Sequence, residues 1–139
     1  MLPALRVVAV LHALSFIVQP VLAGLFLSGQ DTAVDMHATN GMIVVTLCLV
    51  MTILALPVWR RGLLPRAAFT TSAALLVVEV IQMMVGFTHI MWLHIPLGVL
   101  MMGGVAQLMP LVMRPYRPSA ERTAAAGAVV AFPAVEAGE

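Results

Sequence analysis

The sequence predicts an all-α integral membrane protein, a four-helix bundle built as a pseudo-two-fold repeat of two helical hairpins. Three observations lead there. Of the 139 residues, 62% are hydrophobic and 9% charged, against about half and about a quarter in an ordinary soluble domain, and mean hydropathy is +1.06. The apolar residues gather in four runs, each long enough at ~1.5 Å per residue to cross a hydrocarbon core ~30 Å thick. All seven basic residues are arginines, and a four-span chain puts every one of them on the same side.

Span one covers about residues 4–28 and carries Arg6 before its apolar body. Val21-Leu22-Ala23 could pass for a signal-peptide cleavage site. However, His12, Gln19 and Pro20 interrupt the run, and its removal would invert the arginine pattern, so it is read as a retained span. The stretch "SGQDTAVD" separates it from span two, about 37–59, which ends at Arg60 and Arg61. "RRGLLPR" is the second break, with Arg66 opening span three at about 67–88, and "THIMW" makes a tight turn into span four, about 91–113. Arg114, Arg117 and Arg122 follow. Residues 1–113 thus form the transmembrane domain, and 114–139, Ala/Gly/Pro-rich without a sustained period, are read as a mobile cytoplasmic tail. By the positive-inside rule both termini are cytoplasmic and the chain is a multi-pass protein of the plasma membrane. The lipid bilayer is its first partner, and no nucleic-acid partner is expected. The lone Cys48 sits within an apolar run and offers neither a disulfide framework nor a Cys-based metal knuckle. The eleven methionines are read as packing filler.

Two polar layers stand out inside this apolar chain. Gln19 stands as far beyond Arg6 as Glu79 does beyond Arg66, about 20 Å along a helix axis at ~1.5 Å per residue. Both therefore fall near the bilayer midplane, with Gln82 a turn further out and Gln19 the expected partner of a protonated Glu79. This layer reads either as polar glue between spans one and three or as a proton relay. His12, much closer to Arg6 in the sequence, is placed in the inner third without a histidine partner.

The second layer is a histidine pair. His37 precedes Arg60 and His94 precedes Arg114 on spans that run in the same direction. The separations amount to about 35 Å and about 30 Å of helix at ~1.5 Å per residue. The two imidazoles are therefore within ~5 Å of one level, near the outer edge. Glycine follows each by four residues, Gly41 and Gly98, leaving bare backbone on the same face one turn away. Facing imidazoles about 4 Å apart across an iron, with an apolar slot for the porphyrin, are what a b-type haem requires. Thr39, Asn40, Thr88, His89 and Trp92 would line the wet edge for the propionates. Two other readings compete: interfacial histidines with glycines for close packing alone, and a Zn²⁺ or Cu²⁺ site of His37, His94, His89 and Asp35.

Spans one and two repeat in spans three and four: "VQPVLAG" then "MHATNGM" against "IQMMVG" then "LHIPLGV". The halves would be related by an axis along the membrane normal. The run "IQMMVGFTHIMWLHIPLG" resembles the last two helices of one four-helix half of the haem A synthases, and the likeness extends over about residues 5–113. It is also similar to small four-span bacterial membrane proteins with this Gln/His layout. The resemblance implies haem ligands at His37 and His94. It also shows departures: Val34 stands where the synthases carry a glutamate, with Asp35 the nearest acid, there is no outer-loop cysteine pair, and the chain is one half of their two. The expectation is a membrane protein holding haem b through His37 and His94, for electron transfer or haem handling with a redox partner. The alternatives are a half-size haem-modifying oxidase acting as a homodimer, and a cofactor-free structural or accessory membrane protein.

Overall fold

A computed structural model describes residues 1–117; the segment expected to be a mobile tail lies outside the described residues from 118 onward. Four helices account for nearly all of it, with no strand among the described residues: α1 (Leu2–Leu27), α2 (Thr32–Arg60), α3 (Arg66–Phe87) and α4 (Met91–Met113). Each is long and apolar enough to cross a membrane. Three spans begin and end within two residues of the expected limits. The exception is α2, which starts at Thr32 and not near 37. Thus only residues 28–31 break the first hairpin, and "TAVD" is already helical. Hydropathy misses this turn because it is polar. Asp35 favours a helix N-terminus electrostatically, and Ala33 is buried beneath it.

One chemical device makes all three turns. After α1 the Gly29 N–H bonds the Phe26 carbonyl and Gln30 N–H bonds Leu25; after α2 Gly62 bonds Trp59 and Leu63 bonds Val58; after α3 His89 bonds Gly86 and Ile90 bonds Val85. These are Schellman caps, in which the residue after the helix end turns left-handed. Glycine fills that position at Gly29 (φ 91°) and Gly62 (φ 71°), but at the third turn it is His89, with φ 58°.

The helices close a ring, α1 on α2, α2 on α3, α3 on α4 and α4 back on α1, and neither diagonal pair is in backbone contact. At the arginine-bearing end, Trp59 and Phe69 stack with centroids 5.3 Å apart, Leu64 tucks the second turn into the core, and Nε of Arg6 donates to the Val112 carbonyl at 3.2 Å. The interior is densest in this half. Ala68, Ser72, Leu75 and Glu79 are buried on α3 and Met101, Val105, Leu108 and Val112 on α4. No residue of α3 beyond Glu79, and none of α4 before Met101, is buried. Outside the ring, Val7, Leu14, Val21, Ile53, Val77 and Val99 are all more than half exposed. Such a continuous apolar exterior suits lipid and not water.

Candidate functional site

The two diagonals of the ring are each spanned by side chains. Across the α2–α4 diagonal, toward the turn-bearing end away from the arginines, the His37 and His94 rings face one another. Their centroids are 6.1 Å apart, with an angle of 65° between planes.

Each ring is anchored to the other helix of its own hairpin in the same way. Nδ1 of His37 lies 3.1 Å from the Gln19 backbone oxygen, and Nδ1 of His94 lies 3.1 Å from that of Gln82. A carbonyl can only accept, so Nδ1 of His94 donates and, in the neutral ring, its Nε2 keeps a lone pair; Nδ1 of His37 has both the carbonyl and the side-chain amide nitrogen of Gln19 within reach. The glutamine side chains complete the link. Nε2 of Gln82 donates to the His94 carbonyl at 2.7 Å. Gln19, with its amide turned to suit its neighbours, places its nitrogen 3.0 Å from His37 Nδ1 and 3.2 Å from the His37 carbonyl, and accepts from the Gly41 N–H at 2.9 Å.

The glycines have a different role from the expected porphyrin slot. A Cβ at Gly41 would stand 3.0 Å from the Gln19 amide, and one at Gly98 would stand 3.1 Å from Nε2 of Gln82. The bare patch below each imidazole thus admits a glutamine from the neighbouring helix. A third glycine, Gly86, lies flat under the His94 ring, where a Cβ would meet Cε1 at 2.8 Å. Its counterpart in the first hairpin is Ala23, four residues beyond Gln19 as Gly86 is beyond Gln82.

The expected polar rim is partly committed elsewhere. Asn40 donates to the Ser15 carbonyl at 2.8 Å, and the Thr88 hydroxyl bonds its own helix at Met84 and Val85. Thr39, His89 and Trp92 are exposed. The ligand set His37, His94, His89 and Asp35 does not converge: among the described residues the one group of three or more metal-ligating side chains is elsewhere.

That group spans the other diagonal. Nε2 of His12 on α1 lies 2.8 Å from Oε1 of Glu79 on α3, both side chains being 1% exposed. The expected Gln19–Glu79 partnership is therefore replaced by His12–Glu79, and His12 is not isolated. The reason is where the arginines sit. Arg66 is the first residue of α3, whereas Arg6 lies a turn inside α1 and reaches across to α4, so counting from it places α1 too shallow. Measured instead from the helix starts at Leu2 and Arg66, His12 and Glu79 differ in depth by only about 4.5 Å. Cys48 joins them from α2, its thiol donating to the Ser72 carbonyl at 3.6 Å. Its place beside two polar side chains has no signature in the surrounding apolar run.

No family model matches the chain, and neither a curated protein nor a solved structure is detectably similar to it. None of these comparisons links the chain to the haem A synthases.

Proposed function

We propose that the chain is a multi-pass membrane protein of the plasma membrane, with its arginine end cytoplasmic, that binds one b-type haem through His37 and His94. The observation that carries this is the state of the two imidazoles. Each has its Nδ1 3.1 Å from a backbone carbonyl on the neighbouring helix, a contact of the kind that orients a ligating histidine and leaves Nε2 toward the metal. The two rings are neighbours across the bundle, with centroids 6.1 Å apart, so one group bound between them could be held by both. The repeated Gln19/His37/Gly41 and Gln82/His94/Gly98 contacts support a pseudo-two-fold relation between the hairpins, with the ligand pair straddling the axis. Packing is loosest in this half of the bundle, where a flat macrocycle would need the helices to part.

Held by His37 and His94, a haem would supply one-electron redox chemistry suited to electron transfer. The chain's own contribution is to orient the two rings, to set the helix spacing through Gln19 and Gln82, and to keep water from the apolar interior. The test is the optical spectrum of the protein purified in detergent from haem-replete cells. A sharp, reducible, low-spin b-type spectrum is expected. It should be lost or turned high-spin in His37→Ala and in His94→Ala and kept in His12→Ala. Colourless protein, or a spectrum indifferent to both ligand substitutions, overturns the reading and leaves the histidines as interfacial packing residues.

A further inference from the structure

His12, Cys48 and Glu79 gather at the centre of the bundle, and the haem reading makes no use of them. Each lies close to the midpoint of its helix. They are 1%, 0% and 2% exposed. Their ligand atoms, an imidazole nitrogen, the thiol sulfur and a carboxylate oxygen, all lie within 4.8 Å of one another. Packing alone does not account for the group, because polar atoms in it are left over. The second carboxylate oxygen of Glu79 has no hydrogen-bond partner, and neither has the hydroxyl of Thr52, one turn along α2 from Cys48 on the same face. A buried oxygen without a partner is costly, and of the three left so among the described residues two belong to this group, the third being Oε1 of Gln82.

From this geometry we infer that His12, Cys48 and Glu79 form a binding site for a borderline divalent cation of the Zn²⁺ type. Nitrogen, sulfur and carboxylate oxygen are the donors such an ion takes in a tetrahedral site, with bonds of about 2.0–2.3 Å and neighbouring donors therefore roughly 3.4–3.7 Å apart. Reaching that shape requires separations of up to 4.8 Å to shorten by about 1 Å and the 2.8 Å His12–Glu79 contact to open by about 0.6 Å. The fourth position falls to the Thr52 hydroxyl or to water.

Charge balance favours the exchange. The thiol gives up its proton, and the His12–Glu79 pair gives up the one it shares. Two protons leave as one M²⁺ enters, and the thiolate, the carboxylate, a neutral imidazole and the cation sum to zero. No net charge is brought into the apolar interior, which avoids the main cost of burying ions. Glu79 is the last buried residue on α3 toward the histidine end, while Phe16 on α1 and Val44 on α2 cover the group on that side.

The experiment is a Co²⁺ titration of the full chain in detergent, followed by displacement with Zn²⁺, which binds such sites more tightly. Cys48 is the only cysteine in the sequence, so a near-ultraviolet thiolate-to-cobalt band, with tetrahedral visible bands and saturation at a single equivalent, reports this site directly. Cys48→Ser should abolish that band, and Glu79→Gln and His12→Gln should weaken Zn²⁺ binding by about tenfold or more. His37→Ala and His94→Ala should leave it unchanged. Absence of the thiolate band in the unsubstituted protein overturns the inference, as does metal binding that follows His37 and His94 instead. Should Cys48→Ser fail to fold, the band in the unsubstituted protein still decides.

Discussion

A methyl group added at Gly86 would stand 2.8 Å from the His94 ring, whereas at Gly98 it would meet only the far end of the Gln82 side chain, and at Gly103 nothing within 4 Å. Overpacking against a ring held by a hydrogen bond costs more than pushing a flexible amide aside, typically about 1–3 kcal/mol. Gly86→Ala should therefore lower the detergent melting temperature most, Gly98→Ala less, and Gly103→Ala not at all. Equal melting temperatures for Gly86→Ala and Gly103→Ala would show that His94 is not seated as described. At this scale the sequence is legible in part. Counting residues back from Arg60 and Arg114 brings His37 and His94 to one level, and the structure has them as neighbours. It does not say that the glycines receive Gln19 and Gln82, because a glycine one turn from a histidine looks the same whether a cofactor or an amide fills the space. Nor does it bring Cys48 to Glu79, since that depends on helix rotation, and the four helices are apolar nearly all round.

Between helices, the three turns share one hydrogen-bonding pattern and differ in the residue that turns left-handed. His89 stands where Gly29 and Gly62 stand, and a side chain in that conformation costs about 1–2 kcal/mol over glycine. His89→Gly should raise stability by up to about 1 kcal/mol, read by thermal unfolding in detergent, and should leave any haem spectrum intact because the exposed ring is not a ligand. A loss of spectrum in that variant would return His89 to the site. Helix limits are well marked in the sequence where Arg60, Arg66 and Arg114 flank apolar runs. They are poorly marked at the start of α2, where the helix is stabilised by Asp35 at its N-terminus and by the burial of Ala33, and a hydropathy window sees neither.

For the whole molecule, the described arginines Arg6, Arg60, Arg61, Arg66, Arg114 and Arg117 all lie at one end of the ring. The positive-inside bias favours the proposed orientation, with this end cytoplasmic. A periplasm-active reporter fused after Glu139 should be silent, and the same reporter inserted at Gly29 should be active. The reverse pattern would invert the proposed topology, and activity at both sites would break the four-span count. With the diagonals bridged only by side chains, the bundle is a ring held open by two polar cross-pieces, His37–His94 at one level and His12–Glu79 at another.

Cys48 sits inside that ring with none of its surface exposed. Because it is the chain's single thiol, it serves as a built-in clock of the folded state. A membrane-permeant maleimide can reach it only when the helices separate, so the labelling rate divided by that of a free thiol gives the fraction of time the bundle is open. Each tenfold slowing corresponds to about 1.4 kcal/mol of opening free energy, provided closing outpaces labelling. The unfolding equilibrium of this protein is thus measurable in a native bilayer, with no denaturant and no engineered probe.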